Sequence, residues 1–149
     1  MNTILRDVTE KDIDLLFNWV NDTSVRKNSF NTKIINYEEH KEWFGKKIIA
    51  EDSYMFILEI NSIPVGQIRV DIQEKAGIID YSIDKNYRAK GYGLLILIKL
   101  EEKIIDSISE LEKLVAKVKN GNIASQQSFL KANYKSKKKS EFIEFTKLL

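Results

Sequence analysis

Cysteine is absent from the chain, and it contains one histidine and one proline. Without cysteine there is no disulfide, no thiolate zinc site and no cysteine nucleophile. The lone His40 excludes a site built on paired histidine ligands, so we expect no metal centre. No window reaches the roughly 20 apolar residues of a membrane span, and the N-terminal segment lacks the basic-then-apolar order of a signal peptide. A cytoplasmic protein with no membrane partner is therefore expected.

An excess of either charge is also missing. Lysine and arginine number 24 against 22 acidic residues, which gives a net charge of +2 over 149 residues. A nucleic-acid-binding protein would carry a basic face to neutralise phosphates, so we expect no nucleic-acid partner. The length and the 43% apolar share predict one domain, residues 1–149, with no linker or repeat.

Apolar periodicity predicts the element order β-α-α-β-β-β-α-β-α-β-β, and hence a mixed α/β or α+β sheet with helices on both faces. Between the first two helices, residues 21–36 are polar and predict a loop long enough to suggest a function. A long helix is predicted from about Tyr92 to Ser109. Its predicted inner face consists of Leu94, Leu97, Ile98, Ile105 and Ile108.

Two of the six glycines, Gly91 and Gly93, lie in the segment Arg88-Ala89-Lys90-Gly91-Tyr92-Gly93, just before that helix. The first N–H groups of a helix lack acceptors, the helix dipole favours negative charge there, and glycine lets an anion approach the backbone. A Walker loop would need Gly-Lys-Ser/Thr, and a dinucleotide fingerprint would need glycine where Ile96 stands. The segment predicts a diphosphate site, with a plain helix-capping turn as the alternative.

The wording "YSIDKNYRAKGYG" resembles the acetyl-CoA signature of the GNAT N-acetyltransferase superfamily. The later "LVAKV" and "NGNIASQQSFLKAN" resemble the family's next strand and the helix beside the pantetheine arm. The resemblance covers essentially the whole chain. It implies the GNAT fold: a mixed, largely antiparallel six- to seven-stranded sheet with splayed central strands, flanked by about four helices. It also implies acetyl-CoA as co-substrate, and no metal. The residues it assigns to the cofactor are Tyr81, Ile83, Arg88, Ala89, Lys90, Gly91, Tyr92, Gly93, Leu94, Asn122, Ser125, Phe129 and Lys131.

One position departs from that family's pattern. The family often places a tyrosine seven residues after the asparagine as general acid for the departing thiolate, and here the position is Phe129. A thiol with a pKa near 8.5 is a fair leaving group at neutral pH, so a strong acid is not required. Solvent, Tyr81, Tyr92 and Tyr134 all remain candidate proton donors.

The N-terminal third carries a second resemblance. "LLFNWVNDTSVRKNSF" and "INYEEHKEWF" are similar to GNAT enzymes that acetylate nucleotide-linked aminosugars of the pseudaminic-acid type, and ribosomal-protein N-terminal acetyltransferases share part of the pattern. Arg26 could bind a nucleotide phosphate, and a ring could stack on Trp43 or Phe30 unless these side chains belong to the core. The predicted substrate-binding residues are Asn21, Arg26, Ser29, Phe30 and Trp43.

Asp80 is the first candidate for a general base, and Glu38 and His40 are its rivals. A backbone N–H near Ile83 would polarise the thioester carbonyl. The expected activity is transfer of an acetyl group from acetyl-CoA to a small amine by direct attack, with a nucleotide-linked aminosugar as preferred acceptor. The alternatives are a protein N-terminal acetyltransferase and a non-catalytic CoA-binding module. A homodimer stays open.

Overall fold

A computed structural model describes residues 1–149 as one seven-stranded sheet with helices on both faces. The strands are β1 (Thr3–Asp7), β2 (Ser53–Ile60), β3 (Ile63–Gln73), β4 (Ala76–Ile83), β5 (Lys113–Lys119), β6 (Lys135–Lys138) and β7 (Phe142–Leu148). The α-helices are α1 (Ile13–Val20), α2 (Thr23–Asn28), α3 (Tyr37–Ile49), α4 (Tyr92–Ser107) and α5 (Ile123–Lys131). Short 3-10 turns precede α1 and follow β4.

The sheet has the strand order β1-β2-β3-β4-β5-β7-β6, and only the β4–β5 pair is parallel. The other neighbours are antiparallel, and β1 to β4 form a meander in which tight turns join β2, β3 and β4. A parallel pair needs a crossover connection, and α4 supplies it. The predicted mixed, largely antiparallel sheet is confirmed.

The two central strands separate along their length. β4 pairs with β5 only where Ala76–Ile78 face Lys113–Val115. Beyond that point β4 continues to pair with β3 as far as Ile83, and β5 continues to pair with β7 as far as Lys119. A gap therefore opens between β4 and β5 at their C-terminal halves, which confirms the predicted splay and positions the site described below.

Apolar side chains fill both faces of the sheet. On β2, Phe56 and Leu58 join the larger core with α4 and α5, while Ile57 points the other way and packs with Leu16 and Phe44 of α1 and α3. A strand buried on both faces is apolar without alternation, as the run "MFIL" in β2 is.

Two details of the secondary structure differ from the prediction. The residues 21–36 contain the short helix α2, whose N-cap Asp22 accepts hydrogen bonds from the N–H groups of Ser24 and Val25. None of its residues is buried, so no apolar stripe could indicate it. The predicted inner face of α4 is right for the buried Leu97 and for Leu94 and Ile108, which pack against the core, but wrong for Ile98 and Ile105, which are exposed. The residues buried there are Ile96, Leu97, Leu100 and Ile104.

An ion pair fixes the chain just before α1. Both carboxylate oxygens of Asp12 accept from the Arg6 guanidinium, at 2.8 and 3.0 Å, and the Thr9 N–H donates at 2.8 Å. The hydrogen bond from Arg6 is the largest cause that holds the pKa of the Asp12 carboxyl below its ordinary value. Neutralising the buried Asp12 would remove these hydrogen bonds to a charged acceptor and leave Arg6 with Glu59, 2.8 Å from its Nε, as its remaining carboxylate partner.

We expect Asp12→Asn to lower the free energy of unfolding by about 1 to 3 kcal/mol at neutral pH, the usual cost of losing buried hydrogen bonds to a charged group. Because the folded-state pKa is the lower one, this stability is present above about pH 4, the ordinary aspartate pKa, and is lost as the pH falls below it. Urea denaturation at pH 7 and pH 3 should show the difference from wild type shrinking at the lower pH. Asp7→Asn is the charge-matched control, because Asp7 is an exposed residue of β1, the strand that also carries Arg6. An equal difference at both pH values would contradict this assignment.

Candidate active site

The gap between β4 and β5 opens into a cleft of about 650 Å³. This volume lies within the usual range for a small-molecule site. The end of β4, the following turn, the first turn of α4 and one side of α5 line one part of the cleft. Side chains from α1, α2, α3 and the outer face of β3 line the other part. The cleft therefore joins the predicted diphosphate site to the predicted acceptor site.

The Arg88–Gly93 turn presents a row of unpaired backbone donors. No N–H group from Ala89 to Leu94 donates a hydrogen bond within the protein, and the first helical bond of α4 runs from the Leu95 N–H to the Gly91 carbonyl at 3.1 Å. Ala89 and Gly91 have φ values of 60° and 83°, and left-handed residues in a turn are typical of the backbone concavities that bind anions. Such donors at the start of a 16-residue helix suit an anion.

The two positions of the turn require glycine for different structural reasons. Gly91 adopts a left-handed backbone conformation that residues other than glycine rarely adopt, and a Cβ there would meet no atom within 4 Å. A Cβ on Gly93 would lie 2.7 Å from the Ser128 Oγ and 3.4 Å from the Tyr81 hydroxyl. Gly93 therefore lets α4 pack closely on α5, while Gly91 shapes the open turn. The role of both glycines in binding a diphosphate stays a prediction.

Arg88 contacts the protein rather than pointing freely from the turn. Its Nε donates to the Ile83 carbonyl at 3.0 Å, and its Nη2 donates to the Asp22 carboxylate at 2.8 Å. A second bond in the same region runs from the Trp19 indole N–H to the Asp84 carboxylate at 2.8 Å. These bonds tie the turn to the α1–α2 segment, which gives Arg88 a positioning role that the sequence did not indicate. Lys90 is exposed beside the turn.

The backbone of β4 supplies a donor on the edge that faces the gap. The Asp84 N–H donates to the Val65 carbonyl of β3 at 2.8 Å. Because successive N–H groups of a strand point to opposite edges, the N–H of Ile83 points towards the gap left by β5. The predicted position of the carbonyl-polarising group is consistent with this geometry.

Helix α5 closes the cofactor end of the cleft. Its N-cap Asn122 accepts from the Ser125 N–H at 3.3 Å, and the Ser125 Oγ bonds to the Tyr81 hydroxyl at 3.0 Å. Burial raises the pKa of that Tyr81 hydroxyl. Phe129 is 2% exposed and stacks on Phe145 at a centroid distance of 5.2 Å, so it is a core residue at the cleft wall.

Of the remaining predicted cofactor residues, Tyr92, Leu94 and the exposed Lys131 line the cleft, whereas Lys90 lies outside its lining. Tyr134 is buried behind Phe129 and is not part of the lining, so it is not placed to donate a proton there.

Two residues predicted to bind substrate instead hold the α2 segment together. The Arg26 guanidinium donates to the carbonyls of Val20, Asn31 and Lys33 and to the Ser29 Oγ, at 2.6 to 3.2 Å. The prediction that Arg26 meets a phosphate is therefore corrected, because a single N–H of the guanidinium is left.

Asn21 is the second corrected residue. It exchanges two 2.8 Å hydrogen bonds with the backbone of Ile35 and does not line the cleft. Ser29 does line it, but its hydroxyl donates to the Val25 carbonyl and accepts from Arg26.

The two rivals of Asp80 as general base lie in different surroundings: His40 lines the cleft but is buried, and Glu38 lies outside the cleft. His40 is 3% exposed, its Nε2 lies 2.9 Å from the Ile13 carbonyl, and its ring packs among Phe17, Trp43 and other aromatic rings. A ring nitrogen facing a carbonyl oxygen must donate, so that nitrogen cannot accept a proton. Glu38 lies on the exposed face of α3 and does not line the cleft.

Asp80 is exposed in the cleft, next to other polar side chains of β3 and β4. We call this set of four residues the acceptor face: Gln67, Arg69, Asp80 and Ser82. The Gln67 amide donates to Asp80 at 3.3 Å and to Ser82 at 3.1 Å, and the Arg69 Nη1 lies 3.9 Å from the Asp80 Oδ2. Sequence reasoning missed Gln67 and Arg69. The sequence shows that Gln67 and Arg69 lie on the same face of β3. Only the register of β3 on β4, which pairs Arg69 with Asp80, shows that they lie beside Asp80.

Two aromatic side chains of the predicted substrate set line the cleft as expected. The Trp43 ring lies under the Arg69 guanidinium, 5.1 Å from its centroid. Phe30 is exposed at the other rim, where it packs edge-on against Phe142 at 5.9 Å. Both present apolar surface that an acceptor ring could contact, and their role in binding stays a prediction.

A family profile described as an acetyltransferase (GNAT) domain matches residues 2–135. No curated protein matches the sequence. Solved structures with the same fold include aminoglycoside acetyltransferase AAC(6')-Ib with ribostamycin and coenzyme A, at 16% identity, a TM-score of 0.86, and coverage of 99% of this chain and 94% of that one. RimL, a ribosomal L7/L12 alpha-N-protein acetyltransferase in complex with coenzyme A, matches at 15% identity and a TM-score of 0.86, with 100% and 95% covered. A spermidine N-acetyltransferase from Vibrio cholerae with CoA and spermine matches at 15% identity and a TM-score of 0.82, with 98% of this chain and 95% of that one covered.

Two further observations concern what the structure does not contain. No group of three or more histidine, cysteine, aspartate or glutamate side chains is arranged to hold a metal ion. No helix combines the length and the apolar character needed to cross a bilayer.

Proposed function

The chain belongs to the GNAT acetyltransferase family, and from that premise we propose that it transfers the acetyl group of acetyl-CoA to the amine of a nucleotide-linked aminosugar. The single observation that carries the cofactor part is the row of unpaired N–H groups from Ala89 to Leu94 at the head of α4. The acceptor part is supported by the resemblance of the N-terminal third to aminosugar enzymes.

The Arg88–Gly93 turn fits the diphosphate of acetyl-CoA. Its backbone donors are unpaired, the position of a Gly91 side chain is open space, and Lys90 adds exposed positive charge. Asn122, Ser125 and the wall at Phe129 would lie along the pantetheine arm. When bound, acetyl-CoA supplies an activated thioester, and the Ile83 N–H would point to its carbonyl from the β4 edge.

Asp80 would accept the proton of the attacking amine. It is the carboxylate that the structure places in the cleft, on the strand whose edge carries the Ile83 N–H. An aminosugar amine is less basic than a lysine ammonium, because ring oxygens withdraw charge, so one weak base is sufficient. The acetyl group would pass directly to the amine, with no acyl-enzyme.

Release of the thiol needs a proton donor other than Phe129. The Tyr81 hydroxyl, with its partner Ser125, and Tyr92 both line the cleft. A tyrosine hydroxyl is protonated at neutral pH, and burial, which raises the pKa of Tyr81, makes it a weaker acid than an exposed tyrosine. Solvent can serve as well, since a thiolate is a fair leaving group.

Thiol release from acetyl-CoA tests the proposal with little background, because the protein has no cysteine. Wild-type protein would be assayed with UDP-glucosamine, with a peptide bearing a free N-terminus and with spermidine. We expect turnover with the aminosugar nucleotide and at least tenfold lower kcat/KM with the other two. A preference for the peptide would indicate a protein N-terminal acetyltransferase. Tight CoA binding without turnover of any amine would indicate a CoA-binding module.

A further inference from the structure

Arg69 lies on the acceptor face with most of its hydrogen-bonding capacity unused. We propose that Arg69 binds an anionic oxygen group of the acceptor, a carboxylate or a phosphate, while Asp80 faces its amine. The cleft would then select acceptors that carry one amine close to one anionic group. This inference rests on the proposed acetyl transfer and specifies the class of its acceptor.

Four of the five N–H donors of Arg69 make no hydrogen bond, although its position is fixed. A guanidinium has five N–H groups. The Arg69 Nε donates to Asp71 at 2.9 Å, but neither Nη atom makes a hydrogen bond within the protein, and the Asp80 Oδ2 lies 3.9 Å from Nη1. Four N–H groups are therefore without a hydrogen bond, on a side chain that lines the cleft and is 23% exposed.

The surroundings hold this guanidinium in one orientation. The Trp43 ring lies beneath it at 5.1 Å, and Asp71 is itself fixed by Lys47 at 2.9 Å and by the Ser53 hydroxyl at 2.8 Å. A guanidinium that is already ordered loses little conformational entropy when it binds an oxyanion with two parallel hydrogen bonds. The arrangement suits recognition of a carboxylate or phosphate.

The other two arginines at the cleft are not available in the same way. Arg26 uses four of its N–H groups on its own α2 segment. Arg88 is bound to the Ile83 carbonyl and to the Asp22 carboxylate beside the cofactor turn. Of the three, Arg69 is the one that combines free donors with a position next to Asp80.

The charges of the cleft agree with an acceptor that is not a polycation. Asp80 is the only carboxylate among the lining residues. The lining cations are Arg26, Arg69, Arg88, Lys117 and Lys131. Each further ammonium group of a polyamine or an aminoglycoside would lack a carboxylate and would face like charge. An acceptor with one amine and one anionic group matches the Asp80–Arg69 pair.

Three aminosugars that differ in one group test the inference: glucosamine, glucosamine 6-phosphate and muramic acid, which carries a carboxylate. Their affinities would be measured by calorimetry with and without CoA, beside spermidine. Wild-type protein is expected to bind at least one of the two anionic sugars at least tenfold more tightly than glucosamine. Whichever of the two binds more tightly identifies phosphate or carboxylate as the preferred group.

Arg69→Gln should weaken binding of the preferred anionic sugar by roughly tenfold to a hundredfold, and leave glucosamine and CoA within about twofold. Arg69→Lys should recover part of the loss, because it keeps the charge without the planar fork. Lys46→Gln removes one charge from the exposed face of α3 and should change nothing. Asp71 keeps Lys47 and Ser53 in these variants, so the fold is expected to persist.

The inference is overturned if glucosamine or spermidine binds as tightly as the anionic sugars, if none of the probes binds, or if Arg69→Gln weakens all probes equally. These outcomes are separate from failure of the proposed function. Arg69-dependent binding without thiol release would contradict the proposed acetyl transfer and support the anion site. Thiol release that is faster with spermidine and unchanged in Arg69→Gln would support acetyl transfer and contradict the anion site.

Discussion

Replacing Asp80 by asparagine is expected to lower kcat by roughly 10²- to 10⁴-fold, the usual loss when a positioned general base is removed. The asparagine side chain has the size of the aspartate it replaces, and its amide oxygen could still accept the hydrogen bond from Gln67. An amide cannot take a proton from the amine, so the loss should fall on kcat rather than on the KM for acetyl-CoA. Steady-state kinetics of folded Asp80→Asn protein would measure it.

Glu38→Gln is the matched control for that variant. It neutralises the other carboxylate that the sequence nominated, on the exposed face of α3 away from the cleft, and should retain full activity. The pH profile adds an independent test. A base must be ionised to act, so wild-type kcat/KM should fall at acid pH, and a limb that persists in Asp80→Asn belongs to the amine's own ionisation. Full activity of Asp80→Asn at every pH would remove Asp80 from the mechanism.

Gly91→Val is expected to weaken CoA binding at least tenfold while the protein stays folded. A β-branched residue at φ 83° costs on the order of 1 to 3 kcal/mol, so the turn should shift and its N–H groups should no longer converge. Loss of even one charge-assisted hydrogen bond costs about 1.5 to 3 kcal/mol, which is tenfold or more in affinity. Calorimetric titration with CoA would measure the change.

Two further variants separate strain from obstruction. Gly91→Asn adds a side chain but tolerates the left-handed conformation, so its CoA affinity should lie between those of wild type and Gly91→Val. Gly45→Val, in open space on α3 with no positive φ, should leave CoA affinity unchanged. Wild-type affinity in folded Gly91→Val would show that the turn does not bind the diphosphate. We exclude Gly93 from this comparison because a side chain there would also disturb its packing against Ser128.

The sequence was most informative where a local pattern has one structural outcome. The Arg88–Gly93 turn lies where it was predicted, between a strand and a long helix. The phase of α4 was not predictable, because apolar residues surround most of its first two turns and several stripes fit equally well.

Side-chain partners could not be inferred in the same way. Arg26 and Arg69 are the same residue type, but Arg26 uses four of its N–H groups on its own segment, whereas both Nη groups of Arg69 make no hydrogen bond. That difference depends on the fold of α2 and on the β3–β4 register. His40 likewise appears in a functional-looking stripe, and the packing of α1 on α3 buries it.

The central claim is that the acetyl group passes from acetyl-CoA directly to an amine held in this cleft. One reaction mixture tests it, with wild-type protein, acetyl-CoA and UDP-glucosamine, in which free thiol, N-acetylated sugar nucleotide and intact protein mass are measured together. The account predicts one thiol for each N-acetyl product and no acetylated protein at any time. Thiol release without N-acetyl product, or an acetylated protein that then transfers its group to the sugar, would contradict it.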